Sequence, residues 1–337
     1  MIVWPVKFRP VAIERIWGGD ELKPLFGVRT DRPIGEYWVI SAHPNGMSVV
    51  DGGPLAGKTL EELVQSYPEA YLGERSPQPR FPLLVKFIEA HDDLSVQVHP
   101  DDAYAATHEG DFGKTEAWYV LDAPDDGRVI LGHSFPNRES YLRAVKEGRV
   151  REFLRYKPIH KGDLVFVPSR TLHALLRGTK VLEVQQTSDV TYRVYDWDRV
   201  DANGKPRQLH IEKAADVIDY EKQPDEPTPV AMAEEPGFAW VRLVSCPYFT
   251  LDRVRLEARS AELEQGAPGN PDCAIVVEGA GELACEVDGK TVRMPIKAGD
   301  ALIIPSDVRR YTLVSSEGLT LVRAFYDSPA PSASSGP

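Results

Sequence analysis

Along most of the chain, apolar and polar residues alternate with a period of two in short runs closed by Gly, Pro, Asn and Asp, a pattern that predicts strands. Two of these runs share a frame. HKGDLVFVPSRTLHAL at 160–175 and KAGDALIIPSDVRRYTL at 297–313 each read Gly-Asp, apolar strand, Pro-Ser turn, next strand, and where the first carries His173 the second carries Arg310. A duplicated β-unit that keeps an imidazole in only one copy points to a site confined to that copy. Helical spacing is restricted to short inserts. Thr59 and Glu62 form a capping-box pair ahead of Leu60, Leu63 and Val64, which predicts a helix near 59–67. The block 137–156 places Leu142, Val145, Val150, Phe153 and Leu154 at helical spacing, with Gly148 dividing it into two short helices. This block accounts for an offset between the copies. Residues 117–123 match 273–279 at a shift of 156, whereas Asp163 and Asp300 are 137 apart, and the difference of 19 is the size of the helical insert.

The pattern therefore predicts a mostly β protein of two related units. We expect an N-terminal unit over 1–220 with helical inserts, a Pro- and Glu-rich linker at 221–237, a C-terminal unit over 238–327, and a disordered tail at 328–337. With 337 residues, core size is no obstacle. Charged residues at 27% and hydrophobic residues at 42% describe an ordinary globular chain, and no apolar run approaches the ~20 residues that span a bilayer. The opening residues lack a secretion-signal pattern, so the cytoplasm is the expected location, with no membrane association. Net charge of −12 opposes nucleic-acid binding, and an anionic small molecule would need a local cluster of Lys and Arg. Cys246, Cys273 and Cys285 have no CxxC partner and read as reduced thiols.

Three strand ends carry candidate chemistry. In LSVQVHPDD at 94–102, alternation places Ser95, Gln97 and His99 on one face and Leu94, Val96 and Val98 on the other. Taken alone, that is a half-buried strand showing its polar face to water. Glu116 opens the run EAWYVLDA, and His173 follows the Pro-Ser turn. Together Gln97, His99, Glu116 and His173 supply an amide, two imidazoles and a carboxylate, a donor set suited to Zn²⁺ or Fe²⁺. In TYRVYDWDR at 191–199, Arg193 shares a face with Thr191 and Tyr195, where its guanidinium could meet an anion or simply pair with Asp189, Asp196 or Asp198. The other six histidines read as hydrogen-bonding residues. No Gly-rich phosphate loop and no Gly-x-Ser-x-Gly elbow is present.

IERIWGGDEL at 13–22, IGEYWVISAHPNG at 34–46, PLLVKFIEAHDDLSVQVHPDDAYA at 82–105, GKTEAWYVL at 113–121, the segment ending at His173, and TYRVYDWDR together resemble the type I phosphomannose isomerases, in their short bacterial form. The resemblance covers nearly the whole chain and implies two joined cupin-like jelly-roll barrels. It implies one zinc ion per chain bound by Gln97, His99, Glu116 and His173, with Arg193 and Lys114 as catalytic residues and a sugar phosphate as substrate. The reaction implied is aldose–ketose isomerisation of mannose 6-phosphate and fructose 6-phosphate by proton transfer through an enediolate, by a monomer or homodimer. In the second copy Asp272 and Arg310 stand where Glu116 and His173 stand in the first, so that copy is expected to hold no metal. An iron-dependent cupin oxygenase and a non-catalytic sugar-phosphate-binding cupin are the alternatives.

Overall fold

The computed structural model describes residues 3–200 and 204–327; the tail expected at 328–337 lies outside the described residues. The chain is mostly antiparallel strand with few, short helices, and among the described residues no helix is long and apolar enough to cross a membrane. The duplication read from sequence reappears as topology. One sheet runs in the order Leu164–Val167, Glu116–Asp122, Thr179–Gln186, Leu83–Ala90, Ile34–Ile40, Val11–Gly19. Another contains Ala301–Ile304, Asp272–Val287, Leu319–Phe325, Thr250–Leu256, Phe238–Ser245, Val230–Glu235 in that same succession. Strand for strand, the second half repeats the first.

The repeats also carry matching buried charges, with three signs reversed. In the first, Lys86 lies between Glu183 (3.1 Å) and Glu36 (3.5 Å), and Arg15 closes on Glu36 at 2.7 Å. In the second, Asp252 lies between Arg323 (2.7 Å) and Arg242 (2.9 Å) on the corresponding strands. Glu183 opposes Trp118, two residues past Glu116, and Arg323 opposes Ala274, two residues past Asp272. The second repeat thus places a guanidinium beside its buried Asp272 (3.6 Å), where the first places another carboxylate near Glu116. Asp272 also accepts from Tyr311 Oη and Gly266 N, and Arg310 turns outward to pair with Glu264. In the second repeat two guanidinium groups, Arg242 and Arg323, face two carboxylates, Asp252 and Asp272.

Around the first repeat's sheet, Trp17, Ile88, Trp118, Val129, Val165 and Val181 pack one apolar cluster. A five-stranded sheet, Tyr192–Tyr195, Val96–Val98, His173–Ala174, Arg128–His133, Leu154–Pro158, supplies the second layer. The helical block lies against it as Arg138–Lys146 followed by a 3₁₀ turn at Val150–Phe153, broken at Gly148 (φ +68°). Tyr141, Ala144 and Val150 pack there with Val96, Val98, Ala174, Tyr192 and Val194, joined by the helix Ile211–Val217. With those alternate residues committed to the helices, pleating directs Gln97, His173 and Arg193 to the opposite face.

Two boundaries differ from the expected segmentation. The chain divides into a unit of residues 1–11, 38–84 and 227–337 and a unit of residues 12–37 and 85–226, so each is discontinuous. The first strand joins the C-terminal repeat because Val6 and Lys7 pair with Ile303 and Leu302, a pairing across almost the whole chain that no local pattern signals. Within the expected linker, Val230–Glu235 is a strand. It is an edge strand exposed along nearly its whole length, so it lacks the apolar alternation that marks half-buried strands. The predicted capping box is present: Thr59 Oγ1 accepts from Glu62 N at 3.1 Å and Glu62 Oε2 accepts from Thr59 N at 2.7 Å, starting the helix Leu60–Ser66. Thr59→Ala is expected to cost about 1 kcal/mol, read as a lower urea midpoint at unchanged slope. An unchanged midpoint would show that packing of Leu60 and Leu63 alone holds the helix.

Candidate metal centre

Adjacent strands of the five-stranded sheet carry His173 opposite Gln97 and Gln97 opposite Arg193, so the three side chains form a row across it. Glu116 rises from the other sheet, the first residue of its strand. His173 Nε2 lies 3.3 Å from Glu116 Oε1, His99 Nε2 lies 3.4 Å from Glu116 Oε2, and Gln97 Nε2 lies 3.4 Å from His173 Nε2. Ligand atoms of His99, Glu116 and His173 fall within 4.8 Å of one another, and among the described residues this is the one such group of three.

Local backbone features aim these groups. His99 Nδ1 donates to Val190 O and His173 Nδ1 donates to Thr171 O, both at 2.8 Å, which fixes the tautomers and leaves each Nε2 lone pair facing the centre. Arg170, held at φ +72°, donates its N–H to His99 O at 2.7 Å and ties the turn before His173 to the strand carrying His99. Gly113 allows the chain to press against Asp101 and Asp102 just before Lys114; a β-carbon there would lie 2.5 Å from Asp102 N.

The electrostatics call for a cation. Glu116 is fully buried; the Lys114 ammonium approaches its Oε2, and its Oε1 has no hydrogen-bond donor among the described residues. Burial opposes its charge, but the Lys114 ammonium holds the carboxyl well below its ordinary range. Burial, followed by Lys114, pushes His99 down to about 3, and burial likewise lowers His173, so both rings are neutral ligands. Lys114 Nζ reaches Glu116 Oε2 and His99 Nε2 at 3.1 Å each. This set of ligand atoms, two neutral imidazoles and an anionic carboxylate within 4.8 Å of one another, fits a divalent metal.

The cluster opens on a cavity of about 340 Å³ walled by Gln97, Lys114, Glu183, Lys86, Arg193 and Arg207. Arg193 does not form the ion pair that its acidic neighbours suggest. Asp196 is engaged by Arg207 at 2.6 Å and Arg199 at 2.7 Å, while Arg193 Nη1 donates to Gln208 O and its Nε is buried without a partner among the described residues. His210 steadies the strand, accepting from Arg193 N at Nδ1 and donating its own N–H to Arg193 O. Sequence reading overlooked Glu183 and Lys86. They sit mid-strand among apolar residues, and only a charge at a position the alternation assigns to the interior could have marked them. Burial and the nearby Glu116 raise Glu183, whose Oε2 accepts from Trp118 Nε1 at 2.9 Å.

Comparison with known proteins identifies the family. Residues 6–122 match the model of the phosphomannose isomerase type I catalytic domain. A probable mannose-6-phosphate isomerase of Bacillus subtilis is 41% identical over 92% of this chain and 96% of its own length. A mannose-6-phosphate isomerase of Streptococcus mutans is 40% identical over 88% and 91%. The crystal structure of the mannose 6-phosphate isomerase from Bacillus subtilis superposes with a TM-score of 0.86 at 37% identity, covering 95% of this chain and 99% of that one. The family match over residues 6–122 and this likeness along nearly the full length lead to one assignment: the chain belongs to the type I phosphomannose isomerase family.

Proposed function

We propose that this chain interconverts mannose 6-phosphate and fructose 6-phosphate, with one zinc ion held by Gln97, His99, Glu116 and His173. The observation that carries the reading is Glu116 facing the two neutral imidazoles of His99 and His173, next to a cavity lined by Gln97, Lys114 and Arg193, whose guanidinium has no carboxylate partner among the described residues. When bound, the metal supplies a Lewis acid that polarises the sugar carbonyl and favours the oxyanion form of the enediolate. Arg193 offers in-plane N–H donors to the phosphate or the enediolate in a cavity that also holds Arg207 and Lys114. Proton transfer between the adjacent sugar carbons falls to Lys114 and Glu183, whose Nζ and Oε1 are 4.0 Å apart. Glu183, raised by burial, can hold a proton closer to neutral pH than a free carboxylate can, and Lys114 can exchange one with it. Leu94, Leu175, Trp17 and Trp118 supply apolar parts of the wall, beside polar residues that include Ser95, Asp189 and Thr191.

In a coupled assay of fructose 6-phosphate formation, Arg193→Ala should lower kcat/KM by about 10²- to 10³-fold. A rise in KM would locate the guanidinium on the phosphate, and a fall in kcat would locate it on the enediolate. No turnover by native zinc-loaded protein, or a variant within threefold of native, would remove the assignment.

A further inference from the structure

A second cavity of about 220 Å³ lies in the same unit and is lined by Arg128, Arg151, Arg177, Tyr156 and Trp197. Among the described residues none of these three arginines has a carboxylate within ion-pairing distance, although the chain carries 51 acidic residues against 39 Lys and Arg. Elsewhere arginines such as Arg138, Arg149, Arg199 and Arg207 are paired. Aromatic rings hold two of the three instead. The Arg128 guanidinium lies 4.6 Å from the centre of the Tyr156 ring and that of Arg151 lies 5.5 Å from Trp197. A ring over the face of a guanidinium leaves its in-plane N–H edge available for an oxyanion, as at Arg128, while Arg151 also donates to the Tyr195 hydroxyl. Asp93 and Asp126 share the wall, which keeps the site from being a general sink for anions; Asp93 Oδ1 accepts from Arg177 N at 2.8 Å.

We propose that this cavity is a second binding site, for a small phosphate monoester, with the phosphoryl group between the edges of Arg128, Arg151 and Arg177. It stands independently of the isomerase reading. It is joined to the catalytic cavity through adjacent residues: Leu94 and Leu175 line the one, Asp93, Leu176 and Arg177 the other. Leu94 N donates to Leu175 O at 2.9 Å, and Trp197 Nε1 donates to Leu94 O at 2.7 Å. Trp197 and Asp198 both adopt left-handed backbone (φ +58° and +56°), a conformation that non-glycine residues hold only where their surroundings enforce it. That turn, just past the strand carrying Arg193, brings the indole to the wall of the second cavity.

Isothermal titration of the metal-loaded protein with glycerol 3-phosphate, a phosphate monoester that cannot isomerise, should show two equivalents per chain. The Arg128→Ala, Arg177→Ala double variant should lose one of them, or weaken it at least tenfold, and keep native turnover of mannose 6-phosphate. Arg193→Ala should lose the other. Both altered side chains of the double variant are exposed, and an unchanged melting temperature would show that it folds. One equivalent in native protein, abolished by Arg193→Ala alone, overturns the proposal, as do two equivalents that persist in the double variant.

Discussion

Removal of bound metal by a chelator should lower conversion of mannose 6-phosphate by at least about 10³-fold, with activity returning on addition of zinc. The buried Glu116 carboxylate is faced by the neutral Nε2 atoms of His99 and His173, and its Oε1 has no hydrogen-bond donor among the described residues. Without a divalent cation, Lys114 is the nearest compensating charge, at 3.1 Å, so the group assigned to proton exchange would be held as a counter-ion. Metal that binds only the folded state also stabilises it, by about 4 kcal/mol at a concentration a thousand times its dissociation constant, so the melting temperature should fall with the activity. His173→Ala should reproduce both losses and resist rescue by zinc. Metal analysis of protein purified without added metal would identify the ion. Full turnover by protein holding far less than one equivalent of metal would refute this account.

Arg323→Met should destabilise the C-terminal repeat by about 3–5 kcal/mol, a large share of the 5–15 kcal/mol that holds a typical domain together. Arg323 is 1% exposed and is the cation that faces both Asp252 and Asp272, themselves fully buried. Burial already pushes Asp272 up to about 6 against the pull of Arg323. Without the guanidinium, Asp252 would keep only the partly exposed Arg242, and Asp272 would be protonated near neutral pH. Because the folded-state pKa of Asp272 would then rise further above its unfolded value, the variant should lose additional stability as pH increases through that range. Urea unfolding of native and variant protein at pH 6 and pH 8 measures both effects. A loss below about 1 kcal/mol at both would show that this charge series does not hold the repeat together.

How much of this was legible in the chain can be followed through particular residues. Alternation over 94–99 specified that Gln97 and His99 share a face, because pleating is a local property of extended backbone. The pair Thr59 and Glu62 specified a helix start for the same local reason. The matched frames at 160–175 and 297–313 specified duplication, and the contrast of His173 with Arg310 specified that the halves would differ in chemistry. Neighbours distant in sequence decided the remainder. That Val6 pairs with Ile303, that the acidic stretch near 230 is an edge strand, and that Asp196 is engaged by Arg207 so that Arg193 faces the cavity without a carboxylate all depend on pairings with no local signature. The reversed charges Glu183–Lys86–Glu36 and Arg323–Asp252–Arg242 belong to the same class: the energy of burying each is set by partners that three separate strands bring together.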